Sequence, residues 1–286
     1  MSQTFFPQGW IRLLITICAL LPLSLGCAPI IIEHPSEQGS HPCRQSLNEN
    51  RQFNPAGIEQ IIVRTVSSDI QLTAAEGQQI DISLTGETDC DQEQNPYVTL
   101  LSEIQNDNTL YIEVQHRPGI SVNSSNLLLD LLLPEHFSPE LTVTTVSGNL
   151  QFSALDLNGF TCQSISGSIQ GDKLHAENIK LESTSGNACI SDINGNLTFD
   201  SVSGDIEVGC QVLSHNIRAS TTSGQVVFRL PSDASFRLLC ETVSGKISTD
   251  FPDSISHSSG RRLEQTVNTG ENQINIQTIS GSIRIL

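Results

Sequence analysis

Thr145-Val146-Ser147-Gly148 is followed by Ser164-Ile165-Ser166-Gly167, Ser183-Thr184-Ser185-Gly186, Ser201-Val202-Ser203-Gly204, Thr221-Thr222-Ser223-Gly224, Thr242-Val243-Ser244-Gly245 and Thr278-Ile279-Ser280-Gly281. The glycines of these seven copies stand 19, 19, 18, 20, 21 and 36 residues apart. A near-constant period of about twenty residues marks a solenoid, because one unit cannot bury its apolar face alone and must stack on copies of itself.

The flanks define the solenoid's type. Seven residues before each glycine stand Leu141, Phe160, Ile179, Leu197, Ile217, Leu238 and Ile274, and five before it Val143, Cys162, Leu181, Phe199, Ala219, Cys240 and Ile276. Two after it come Leu150, Ile169, Ala188, Ile206, Val226, Ile247 and Ile283; four after it come Phe152, Ile190, Val208, Phe228 and Ile285. This period of two is that of strands facing one core, so each coil reads strand, Ser-Gly corner, strand. The fold class is all-β, a parallel β-solenoid with coils of about 19–20 residues preceded by irregular strands. Seven coils at strand spacing make a rod of roughly 30 Å.

Glycine suits the corner because it accepts positive φ or close approach of a neighbouring coil, and a serine hydroxyl can satisfy backbone exposed by the bend. The Ser-Gly pairs read as architecture and not as a row of catalytic serines. Asn158-Gly159 and Asn194-Gly195 read as turns on the opposite side of the coil.

At the N-terminus, Leu13 to Leu25 is almost wholly apolar and follows Arg12, the pattern of an export signal too short to span a bilayer as a mature helix. Leu23-Ser-Leu-Gly-Cys27 resembles a bacterial lipobox, with Ser24 where leucine is more typical. It implies a lipoprotein signal peptide over residues 1–27, acylation of Cys27 and a membrane anchor through lipid. By resemblance to Gram-negative envelope lipoproteins, Ala28 points to the outer membrane. Residues 28–55, rich in Pro, Ser, Gln and Asn, read as a flexible tether.

The folded domain is expected over residues 56–286. Ile58 to Thr65 leads into Val66-Ser-Ser-Asp-Ile-Gln-Leu72, a worn repeat copy with Ser68 in place of glycine. Ile80–Leu84, Thr109–Val114 and Leu127–Leu133 read as further strands, the last buried on both faces. These features, the Leu131-Leu-Leu-Pro134 turn, the Ser-Gly ladder and the closing Ile274-Asn-Ile-Gln-Thr-Ile-Ser-Gly-Ser-Ile283 resemble the bacterial putative-adhesin domain, a broad family of exported proteins. The resemblance implies surface attachment and carries no set of functional residues.

The formal net charge of −17, near −18 once a leader holding Arg12 and no acid is removed, speaks against nucleic acid as a partner. Trp10 lies in the leader and Tyr97 and Tyr111 are the only tyrosines, so aromatic platforms for sugar stacking are scarce. Beyond Cys18 and Cys27, six cysteines remain, at 43, 90, 162, 189, 210 and 240. Spacing does not fix their pairing. Cys43 with Cys90 is the expected bridge, tying the tether's end to the first strands. Cys162 and Cys240 share an inward offset four coils apart, beyond disulfide reach, and read as buried small hydrophobes. A Cys189–Cys210 bridge needs a local bulge.

The seven histidines are scattered, no CxxC occurs, and Asp156, Asp172, Asp192 and Asp205 differ in offset from the corner. No catalytic residue, metal site or cofactor is assigned. Two readings follow. One is a non-enzymatic cell-envelope lipoprotein, an adhesin-like binding module using a Ser/Thr/Asn-rich solenoid face for a protein or surface polymer. The alternative is a periplasmic structural or envelope-stress scaffold that binds a protein partner or self-associates through its exposed final coil, the strand Ser282–Leu286. The segment Ser248–Gln273, with Arg261-Arg262, reads as a surface insertion.

Overall fold

The computed structural model describes residues 43–90, 97–105, 107–117, 122–252, 255–258 and 260–286, with no helix among them. The strands are β1 (Cys43–Phe53), β2 (Gln60–Arg64), β3 (Asp69–Ala75), β4 (Ile80–Cys90), β5 (Val98–Ile104), β6 (Thr109–His116) and β7 (Val122–Pro134). The repeats add β8 (Glu140–Thr145), β9 (Leu150–Ser164), β10 (Ile169–Ser185), β11 (Ala188–Ile190), β12 (Ile193–Ser203), β13 (Ile206–Gly209), β14 (Ile217–Ser223) and β15 (Val226–Arg229). The chain closes with β16 (Phe236–Ser244), β17 (Ile247–Thr249), β18 (Ile255–Ser258), β19 (Arg262–Val267), β20 (Asn272–Ser280) and β21 (Ile283–Ile285).

Two long ladders meet at the Ser-Gly corner. The inbound ladder, carrying the chain into the corner, runs β5, β6, β2, β8, the ends of β9 and β10, β12, β14, β20, β16, β19, β18. The outbound ladder runs β1, β4, β7, β3, the starts of β9 and β10, β11, β13, β15, β21, β17. A short back ladder stacks Leu155, Leu174 and Ile193. Pairing is parallel between repeats and antiparallel at both ends. This is the parallel β-solenoid that the repeat demands.

The inward columns fill the interior. Leu141, Phe160, Ile179, Leu197, Ile217, Ile274 and Leu238 are all buried, as are Val143, Cys162, Leu181, Phe199, Ala219, Ile276 and Cys240. Bulk alternates where it must: Phe199 pairs in register with Ala219, and the ring of Phe152 occupies the space that a Cβ on Gly171 would enter, at 2.0 Å.

The corner glycines form an unbroken ladder. A Cβ on Gly148 would stand 1.9 Å from the Ser68 carbonyl oxygen, one on Gly167 1.9 Å from that of Gly148, and one on Gly204 2.1 Å from that of Gly186. Close approach requires glycine along the ladder, and at Gly186, Gly204 and Gly224 a positive φ of 135°, 131° and 137° adds to the demand. The worn copy belongs to this ladder, and Ser68 is its first rung. Two hydroxyls serve each early corner. Gly148 N–H donates to Thr145 Oγ1 and Gly167 N–H to Ser164 Oγ, both at 3.0 Å, while Ser147 Oγ and Ser166 Oγ donate to the Val66 and Val146 carbonyls at 3.1 Å.

The structure departs from the sequence reading in five places. The final coil is not terminal: β20 and β21 insert between the coil of Gly224 and that of Gly245. Residues 248–273 supply β18 and β19, an antiparallel hairpin that extends the inbound ladder beyond β16. Gly159 and Gly195 lie inside β9 and β12 rather than at turns; a Cβ there would meet the Glu140 carboxylate at 2.1 Å and the Ala176 carbonyl at 1.9 Å. Ala154 within β9 and Lys173 within β10 are left-handed, both at φ 55°. Leu127–Leu133 is buried on one face, with Leu128 37% exposed, because no second layer among the described residues covers the outside of β7. Finally, residues 43–53, expected within the tether, form β1 against β4.

A candidate binding face on the outside of the solenoid

Outward side chains of the inbound ladder stack in register as the inward ones do. Four residues before each corner stand, in spatial order, Arg64, Thr144, Gln163, Glu182, Asp200, Ser220, Gln277 and Glu241. Period-two alternation places them outside, and the parallel register sets them about 4.8 Å apart. Glu182 is only 5% exposed: it accepts from Gln163 Nε2 at 2.7 Å and pairs with Lys180 Nζ at 2.8 Å. At the far end Glu241 pairs with Arg262 Nη1 at 2.7 Å and accepts from Gln277 Nε2 at 3.2 Å.

Asp200, the cross-strand partner of Glu182, has its carboxyl pushed up from the usual range. Burial is the main cause, the Glu182 charge adds to it, and Arg218, Lys180 and a hydrogen bond from Ser220 oppose it. The middle of this face is thus a tightly packed polar surface with one reluctant acid. Arg262 belongs to the Arg-Arg pair of the insertion, and here it closes the row through Glu241 and Glu264.

Just past the corner a second polar row follows the outbound ladder. Asn149 N–H donates to Asp69 Oδ1 at 2.8 Å, Ser168 N–H to Asn149 Oδ1 at 3.0 Å, Asp205 N–H to Asn187 Oδ1 at 2.9 Å and Gln225 N–H to Asp205 Oδ1 at 2.7 Å. Each side chain caps the next coil's backbone, which satisfies corner amides that lie outside the strands. Asn, Ser, Asp or Gln follows every corner glycine but Gly245, which Lys246 follows, and the pattern is visible in the sequence, but its role depends on register.

The residues singled out from sequence distribute as follows. The corner serines and glycines share one ridge. Cys27 lies outside the described residues. Cys43 and Cys90 are Cα partners at the end of the β1–β4 pairing. Asp156, Asp172, Asp192 and Asp205 do not form one cluster: Asp156 pairs in register with His175, Asp172 accepts from Ser191 Oγ at 2.5 Å, Asp192 accepts from Gln211 N–H at 2.9 Å, and Asp205 belongs to the corner row. Of the histidines, His175 contacts Asn194, His215 contacts Ser214 Oγ at 2.8 Å, and His116 is half-buried with its imidazole pulled down by burial. Cys189 is exposed and Cys210 buried, both free, with Glu207 rather than Cys210 opposite Cys189. Cys162 and Cys240 are fully buried and five ladder steps apart, one more than the sequence order implies, because the last coil lies between them.

The fold and its corner ladder define a solenoid of stacked Ser-Gly coils. The sequence matches the Toastrack DUF4097 family model over residues 58–178 and again over 124–286, and the chain belongs to this family. The two matches overlap as a repeat permits, since one unit aligns in more than one frame. No curated protein matches the chain. Solved structures similar to it include a putative adhesin from Bacteroides fragilis, 13% identical, with TM-score 0.42, covering 84% of this chain and 97% of that one. A putative lipid binding protein from Parabacteroides distasonis is 13% identical with TM-score 0.40 and the same coverage. A putative cell adhesion protein from Clostridium sporogenes is 13% identical with TM-score 0.37, covering 84% of this chain and 99% of that one. At these values the likenesses say nothing about what this chain binds.

Proposed function

We propose that this chain is a non-enzymatic binding module of the cell envelope, lipid-anchored through Cys27 at the outer membrane and adhesin-like in using a solenoid face for contact. The observation that carries the reading is the unbroken outward column from Arg64 to Glu241. Eight coils contribute to it in register, so polar and charged groups recur at strand spacing over a rigid surface. Such a surface suits a partner that is itself extended or repetitive. The resemblance to the putative-adhesin domain supports the same reading.

The second reading, a periplasmic structural or envelope-stress scaffold, keeps one observation in its favour. β21 is covered on both sides and offers no edge, but β1 and β17 each pair on one side only among the described residues, leaving strand edges for self-association. Protease shaving of intact cells carrying a C-terminally tagged protein separates the two, with Cys27→Ser as the control for anchoring. Loss of the tag from intact cells supports display. Protection until the outer membrane is opened overturns the adhesin reading and leaves the scaffold.

A further inference from the structure

Charge is unevenly divided along this acidic chain. Residues 218–286 hold seven Lys or Arg against six Asp or Glu, whereas residues 1–217 hold seven against 25. The end of the solenoid built by the later segment is therefore nearly neutral, and it is where the chain departs from sequential order. Insertion of β21 between β15 and β17 sets Arg284 opposite Val227 on one side and Ser248 on the other. Ile283 N–H donates to the Lys246 carbonyl at 2.9 Å, which places Lys246 beside Ser282 on the same outer surface.

These strands floor an open groove of about 620 Å³ lined by Gln225, Lys246, Ser248, Ser282 and Arg284 and by the corner backbone of Gly224 and Gly281. Lys246 and Arg284 are exposed and have no carboxylate partner among the described residues, unlike Lys180, Arg229 and Arg262. Glu207, two strands from Arg284 in the same outward column, is held by Arg229 at 2.8 Å. Two cations are thus left uncompensated beside hydroxyls and an amide.

We infer that this groove binds an acidic polysaccharide, with Arg284 and Lys246 taking a carboxylate or sulfate and Ser248, Ser282 and Gln225 taking sugar hydroxyls. An Arg fork matches the two oxygens of an oxyanion, and Lys adds a mobile second charge. None of its lining residues carries an apolar or aromatic side chain to enter a lipid surface, which favours the polymer over a membrane. The inference rests on the binding-module reading and goes beyond it, placing a second contact surface on the outbound ladder. It is tested on purified protein, so it can fail while the display experiment succeeds, and the reverse.

The full chain, purified in detergent, is assayed for binding to polygalacturonate, dextran sulfate, neutral dextran and vesicles of phosphatidylcholine with phosphatidylglycerol. The expected result is retention by an acidic polymer and not by neutral dextran, weakened about tenfold or more in Lys246→Gln/Arg284→Gln. The pair Arg117→Gln/Lys173→Gln, which removes the same net charge elsewhere, leaves binding unchanged. Equal weakening in both pairs, no retention of the unaltered chain, or binding to the vesicles alone overturns the assignment.

Discussion

Gly245 rests on Gly281 and not on Gly224: a Cβ at 245 would stand 1.8 Å from the Gly281 carbonyl oxygen, and a Cβ at 281 would stand 1.9 Å from that of Gly224. The order of coils in space thus differs from their order in the chain. The 35 residues between the last two glycines let the chain form the outer coil first, extend it with the β18–β19 hairpin and return underneath it.

The glycine ladder predicts position-specific sensitivity to a single methyl group. In Gly167→Ala the new Cβ meets backbone at 1.9 Å, so neighbouring coils must separate, at a cost of about 2–3 kcal/mol. Gly77→Ala, with nothing within 4 Å, is near neutral. Thermal unfolding followed by circular dichroism is expected to show a midpoint lowered by roughly 5–10 °C for the first variant and little change for the second.

Removing the last strand tests the insertion directly. Ile283 and Ile285 are fully buried between β15 and β17, and each change to Ala is expected to cost about 2–5 kcal/mol. A chain ending at Gly281 should therefore become susceptible to proteolysis around residues 225–250 while the earlier coils remain protected. Uniform resistance would mean that β21 is not a structural member of the stack.

Asp200 sets a pH dependence with a definite sign. Its folded-state carboxyl is raised above the ordinary value of 3.8, so its contribution is favourable when protonated and is lost as pH rises through the folded value. Asp200→Asn is expected to be more stable than the unaltered protein at pH 7. The gain should shrink as the solution is acidified and vanish below about pH 4. Midpoints measured for both proteins across this range check it, and a gain that grows on acidification would contradict the assignment.

The cysteines should divide into three groups. Burial pushes the Cys162 and Cys240 thiols up to about 12, so iodoacetamide at pH 8 should label neither before unfolding, whereas exposed Cys189 should react. Cys43 and Cys90 are Cα partners in the β1–β4 ladder, and a bridge there is expected in protein from an oxidising compartment. Non-reducing peptide mapping would show it, and reduction should then cost about 4 kcal/mol from the loop released.

Much of this architecture was legible in the sequence because a parallel solenoid repeats its local physics. Period-two flanks named the inward columns, and the recurring Ser-Gly located the corners. The apolar run of Leu127–Leu133 misled because composition does not reveal whether a second layer covers a strand. Asn158-Gly159 and Asn194-Gly195 misled because a glycine chosen for close approach between coils looks the same as one chosen for a turn.

The sequence by itself determined the unit: two strands, a glycine corner, and which side chains of each coil face the core. Only the tertiary structure decided the order of the units, since parallel pairing of equivalent coils has almost the same local chemistry whichever neighbour is chosen. The long segment between Gly245 and Gly281 freed the last coil to insert, and that choice set Arg284 beside Lys246, covered β21 on both edges and left β17 at the end of the outbound ladder.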